Sequence, residues 1–202
     1  MDDLELAALL CSRLCHDLVS PVGAITNGLE ILEDDDDPEI RAQAISHIGQ
    51  SAGAASARLQ FLRVAFGSGS SLGETVDTIE LEDLAEALFA RTRVHTVWSL
   101  DRPSVPKDSA RLLLNLLLVA ADTLPRGGTV TIAEQTDALV ISAVGEGARM
   151  LPEVDGFLSG EVNGTQPDPR SVVAFYAGRL AARAGLPFRW APAAGRVDFV
   201  IG

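Results

Sequence analysis

Leu14-Cys15-His16-Asp17-Leu18-Val19-Ser20-Pro21-Val22 lies in a run where apolar residues recur at Leu14, Leu18, Val22, Ile25, Leu29 and Leu32. That three-and-four spacing marks one face of a helix. At about 100° per residue, His16 lies about 200° from both Leu14 and Leu18, so it points away from the apolar face. Ser20 follows at i+4, Gly23 at i+7 and Arg13 precedes at i−3, giving a polar strip of small residues around an imidazole. A surface histidine without a task is the ordinary alternative, and from His16 alone both readings stand. Pro21 bears on the choice. A proline inside a helix removes a hydrogen bond and bends the chain at a cost of ~3 kcal/mol. A plain structural helix gains nothing from that.

Working outward, the pattern predicts helix 1 from Asp3 to Glu33, about 45 Å long at about 1.5 Å per residue. The acidic run Glu33-Asp34-Asp35-Asp36-Asp37 ends it as a solvated turn, with Asp37 and Pro38 as N-cap and first residue of helix 2. Helix 2 runs to Phe66 on a stripe of Ile40, Ala44, Ile48, Ala52, Ala55, Leu59, Leu62 and Phe66. Gly49, Ala52, Gly53 and Ala54 thin its middle and would allow close helix approach. Two long amphipathic helices on a short turn form a hairpin, and a lone hairpin cannot cover both apolar faces. Pairing two hairpins in a four-helix bundle does, so a homodimer is expected. His47, on helix 2, matches no motif and reads as structural or solvent-exposed.

Gly67-Ser68-Gly69-Ser70-Ser71-Leu72-Gly73 reads as a flexible linker, so the chain divides into residues 1–66, a linker at 67–78 and a second domain at 79–202. Beyond the linker, helices are expected at 80–93, 107–124 and 170–184, the last capped by Gly185. Strands are expected at 96–100, 129–132, 139–144, 188–191 and 196–201. This order implies helices on one face of a mixed sheet, an α/β sandwich, and an α+β class for the whole chain.

Composition excludes several partners. The chain has 202 residues, 47% of them hydrophobic, enough for a real core. With 16 basic against 28 acidic residues the net charge is −12, which disfavours nucleic acid. Cys11 and Cys15 are spaced i, i+4 with no further ligand beside them, so small buried thiols are expected rather than a metal site. Two cysteines without a signal peptide fit a reducing cytoplasm, and no uninterrupted apolar run reaches the ~18 residues of a membrane span.

His16-Asp17-x-x-Ser20-Pro21 resembles the phosphoacceptor box of sensor histidine kinases, and the resemblance continues downstream. Arg111 to Ala120, then Pro125-Arg126-Gly127-Gly128-Thr129, is similar to the asparagine box and following turn of the kinase ATP-binding domain. Kinases hold magnesium there with two asparagines at i and i+4. The first matches Asn115, but the second falls on Val119, which has no oxygen to offer. Where kinases place an adenine-reading aspartate before two glycines, this chain has Ala143-Val144-Gly145-Glu146-Gly147. Gln166-Pro167-Asp168-Pro169-Arg170-Ser171 replaces the glycine-rich lid, and prolines give phosphates no N–H.

A histidine-bearing hairpin, an Arg63-Val64-Ala65-Phe66-Gly67 end to helix 2 and a degenerate ATP-binding domain together resemble the alphaproteobacterial histidine phosphotransferases of the ChpT family. The resemblance implies a four-helix bundle joined to a Bergerat-like α/β domain. It implies phosphoryl transfer through His16, with Asp17 orienting the ring, from the receiver domain of a hybrid histidine kinase to response regulators. No cofactor is expected in this chain; Mg2+ would come from the receiver. Arg13, Ser20, Gly23 and Asn27 are the docking candidates beside His16. Two other readings remain: a diverged ATP-dependent kinase, and a non-catalytic dimeric adaptor.

Overall fold

The first helix begins on a reciprocal cap. Asp2 accepts from the Glu5 N–H at 2.8 Å, and Glu5 accepts from the Asp2 N–H at 2.9 Å. The computed structural model describes residues 1–67, 73–136, 138–159 and 166–202. Helix α1 spans Asp3–Asp34 and α2 spans Pro38–Phe66, with the Asp37 carboxylate accepting from the Glu39 and Ile40 N–H groups. Both helices and the expected cap are therefore present. The acidic turn holds because Arg41 donates to the carbonyls of Leu32 and Asp35, which α1 leaves unpaired at its end.

Helix α1 is apolar over a wider arc than the single expected stripe. Leu14, Leu18, Ile25 and Leu32 are half-buried. Leu4, Val19, Val22 and Leu29, with Ile45 and Leu59 on α2, instead keep between 46% and 80% of their surface exposed. Cys11 and Cys15 lie on that open stripe, and within the single chain both thiols are free and exposed rather than buried as expected. By length and composition α1 just meets the criterion for a membrane-spanning helix, although only 6% of its most apolar window is buried. One such helix near the N-terminus is weak evidence, and Arg13, His16 and Asp17 interrupt it. The close approach of the two helices also falls elsewhere than expected. A Cβ on Gly28 would meet Ile48 Cγ1 at 2.6 Å, whereas Gly49 and Gly53 of α2 face open space.

Of the expected linker, residues 68–72 lie outside the described residues, and strand β1 (Thr75–Asp77) already falls within its bounds. Helix α3 (Thr78–Phe89) follows, then β2 (Val94–Ser99), β3 (Ser104–Pro106) and α4 (Lys107–Asp122). Strands β4 (Gly128–Gln135) and β5 (Ala138–Val144), helices α5 (Pro152–Leu158) and α6 (Val172–Ala184), and strands β6 (Phe188–Ala193) and β7 (Arg196–Ile201) complete the chain. The sequence pattern missed β1, β3 and α5, which are three to seven residues long and too short to show a period.

The main sheet runs β2-β4-β5-β7-β6, with β2 and β4 parallel and every other pair antiparallel. Residues alternate along each strand. Val130, Ile132, Ile141, Ala143, Val197 and Phe199 are wholly buried on one face, while Thr131, Ser142 and Asp198 stand on the other. Helix α4, buried on nearly every side, lies between that face and the hairpin. The core is continuous: Leu6, Phe61, Leu62 and Ala65 belong to the same buried cluster as Leu113, Leu117 and Phe175. The first half of α1 packs on this core through Leu6 and Leu14, with Arg13 beside the end of α4 and the residues that lead into α6.

Candidate functional site

His16 leaves the surface of α1 with 67% of its side chain exposed. Its neighbours are held more firmly. Asp17, 17% exposed, receives the Arg13 Nε at 2.9 Å from one turn earlier, and its other oxygen lies 3.3 Å from His16 Nδ1. Adjacent helical residues do not ordinarily face one another, so the Arg13 contact is what keeps the carboxylate within reach of the ring. Arg58 of α2 reaches across the hairpin and donates to the Asp17 backbone carbonyl at 2.9 Å.

Beside the ring opens a cleft of about 480 Å³, walled by Arg13, His16 and Asp17 on one side and by Asp122, Asp168 and Arg170 on the other. Arg13 Nη1 donates to the Arg170 carbonyl at 3.1 Å and lies 4.0 Å from Asp122. The Asp122 side chain keeps 58% of its surface open, and the rest lies against the cleft wall. Desolvation raises its carboxyl above the ordinary range and Asp17 adds to the rise, while Arg13 and Arg170 oppose it. Asp168 shifts the other way. Its carboxylate accepts from the Ser171 hydroxyl at 2.7 Å and from the N–H groups of Ser171 and Arg170, which hold it below the usual range.

The sequence-derived residues fall into two groups. Ser20 and Asn27 are exposed, and a Cβ added to Gly23 would meet nothing within 4 Å, so all three present an open surface past His16. Arg13 differs: its side chain is 14% exposed and its guanidinium is turned inward onto Asp17 and the 169–170 carbonyls. It acts as a strut beneath the histidine. Arg58, Asp122 and the α6 approach were not anticipated, because residues 41 to 157 positions apart leave no spacing signal. His47 and His95 are exposed and lie outside the cleft.

The residues that resemble the kinase boxes are taken up in packing. Asn115 is wholly buried, and its Nδ2 donates to the carbonyls of Ala65 and Arg111 at 2.9 and 2.8 Å. Val119 and Ala143 are 3% and 0% exposed. Gly145 serves a close backbone approach: a Cβ there would lie 2.5 Å from the Gly127 carbonyl. Among the described residues no group of three or more His, Cys, Asp or Glu is set to hold a metal ion.

With this geometry in place, comparisons with known proteins are consistent with one another. Residues 78–196 match the family model for the histidine phosphotransferase C-terminal domain. The chain is 41% identical over 187 residues to the protein phosphotransferase ChpT of Brucella abortus (strain 2308), covering 91% of this chain and 88% of that relative. A solved bacterial phosphotransferase superposes with a TM-score of 0.86 at 36% identity, over 100% of this chain and 98% of that one. The chain is a phosphotransferase and belongs to the histidine phosphotransferase family.

Proposed function

We propose that His16 takes a phosphoryl group from an aspartyl phosphate on the receiver domain of a hybrid histidine kinase and passes it to the aspartates of response regulators. The observation that carries this reading is the exposed His16 ring set against a carboxylate that Arg13 holds in place. An ionised carboxylate can only accept, so in that contact Nδ1 bears the hydrogen and Nε2 keeps its lone pair. Nε2 attacks phosphorus; the P–N bond forms as the acyl P–O bond breaks and the donor leaves as a carboxylate. Positive charge gathers on the ring, and Asp17 offsets it through the Nδ1 proton. The second transfer runs the steps in reverse, with the regulator's aspartate as nucleophile.

Docking would use the open strip of Ser20, Gly23 and Asn27, with Arg13 acting from beneath it. Mg2+ for the transfer would be supplied by the acidic pocket of the receiver, and no cofactor is assigned to this chain. The open apolar stripe running from Leu4 through Val19 to Leu29 supports a homodimer through the hairpins. The unpaired thiols of Cys11 and Cys15 fit a reducing cytoplasm. Transfer without ATP is supported by Asn115, Val119 and Ala143, which are buried in packing rather than lining a cleft.

The test is labelling by a receiver domain carrying radioactive phosphate. Wild type should take label, while His16→Ala, at an exposed position, should keep its circular dichroism spectrum and melting temperature and take none. Acid-labile label persisting on the variant, at His47 or His95, overturns the assignment. Labelling of His16 from Mg-ATP alone, or saturable binding of Mg-ATP at micromolar concentration, overturns the transfer-without-ATP reading.

A further inference from the structure

Pro21 is a backbone defect with a defined address. In an α-helix the N–H of residue 21 would bond the carbonyl of residue 17, and proline has no N–H. The carbonyl left without its helical donor is therefore that of Asp17, next to His16. Pro21 is buried inside α1, so bulk water is a poor substitute at that turn. The Arg58 guanidinium fills the position, its Nη1 lying 2.9 Å from the Asp17 oxygen.

We propose that Arg58 is a positioning residue for phosphoryl transfer, which replaces the hydrogen bond that Pro21 removes and so fixes the turn carrying His16 and Asp17. Asp17 is then held at two points by two arginines. Arg13 of α1 takes its side chain, and Arg58 of α2 takes its main chain. With only the first, the carboxylate would be tethered to a backbone turn free to flex at the proline. The Nδ1 to Oδ1 distance is already 3.3 Å, so little outward movement is needed to lose that contact. Arg58 also lies at the meeting of the two cavities that separate the hairpin from α3 and α4, lined by Asp17, Leu88, Thr92 and Asp122. It thus connects the reactive turn to the body of the protein.

The proposal rests on His16 as phosphoacceptor, and the experiment separates the two. Transfer from a phosphorylated receiver domain is measured for full-length wild type, Arg58→Ala, Arg58→Lys, Pro21→Ala and Pro21→Ala/Arg58→Ala. Arg58→Ala should slow the maximal rate on the order of ten- to a hundredfold, the cost of a misplaced reactive group, with little change in the receiver concentration at half-maximal rate. Arg58→Lys, which keeps one donor, should recover part of the rate. In the Pro21→Ala background residue 21 again supplies an N–H, so removing Arg58 should cost no more than about twofold.

Nitrogen-15 spectra of the His16 ring give a readout independent of transfer. Wild type should show the Nδ1–H tautomer, and Arg58→Ala a mixture. If Arg58→Ala does not fold, Arg58→Gln carries the same comparisons. Wild-type rate and tautomer in the folded Arg58 variant, or an equal loss with and without Pro21, overturns the proposal while leaving His16 in place. A wild type that takes no label on His16 overturns the phosphoacceptor assignment instead.

Discussion

Asn115 Nδ2 lies 2.9 Å from the carbonyl of Ala65, and the contact is wholly buried. Ala65 is in the last turn of α2, where carbonyls have no helical donor, so Asn115 caps one helix from the middle of another. The residue that a kinase would turn toward magnesium here joins the hairpin to α4. Asn115→Ala would leave that carbonyl buried and unpaired, at a cost of ~1–3 kcal/mol. For a chain of this size that corresponds to about 2–4 °C in melting temperature per kcal/mol, readable by scanning calorimetry. An unchanged melting temperature would show that the join does not depend on this contact.

Val19 and Leu59 keep 70% and 46% of their surface exposed in the single chain. A charge at either position should therefore leave the hairpin folded and act only on what covers it. Burying a leucine contributes ~1.5–3 kcal/mol, and each such side chain occurs twice in a symmetric interface. Leu59→Glu should shift sedimentation at micromolar concentration from dimer to monomer with helicity retained. Wild type sedimenting as a monomer at that concentration would remove the dimer from the proposed function.

Gly23 offers an opposed pair of effects. An alanine there meets nothing within 4 Å and favours the helix by ~0.5–1 kcal/mol, so Gly23→Ala should raise the melting temperature. If the receiver approaches the α1 backbone at this point, the same methyl should slow transfer several-fold. A stabilised variant that transfers at the wild-type rate would exclude Gly23 from the docking surface.

Asp168 predicts a pH dependence of known sign. Its folded pKa lies below the ordinary value of 3.8 because Ser171 donates twice to the carboxylate. The group therefore contributes stability above pH 3.8, and this contribution is lost as pH falls through the depressed folded value. In urea titrations, the deficit of Asp168→Asn relative to wild type should be largest near pH 7 and should close on acidification. A deficit that stays constant from pH 7 to pH 3 would assign the effect to something other than ionisation.

The helices of the hairpin could be read from sequence nearly to the residue because each carries a cap and a long period. Asp37-Pro38 fixes the start of α2, and the expected end at Phe66 agrees with the structure. The outward direction of His16 was legible because helix phase is a local signal, and the structure leaves 67% of its side chain exposed. Arg58 was not legible. A proline at 21 implies a missing donor at Asp17, but no spacing rule says which distant side chain replaces it. Arg13 was visible as a cation beside His16, yet the direction of its side chain depends on Asp122 and the 169–170 carbonyls, which the fold alone brings near. Cys11 and Cys15 were misplaced for a related reason: α1 is apolar on two stripes, and one sequence does not say which is open.

The buried cluster that runs from Leu6 and Phe61 through α4 to Phe175 has a consequence for how far the hairpin and the α/β domain can move apart. The α/β domain shares a single hydrophobic interior with the hairpin that bears His16. Prising the two apart would bring Phe61 and Leu62, both almost wholly buried, into water at ~1.5–3 kcal/mol for each such side chain. A partner that touches both therefore meets them at a spacing set by the fold rather than by its own binding.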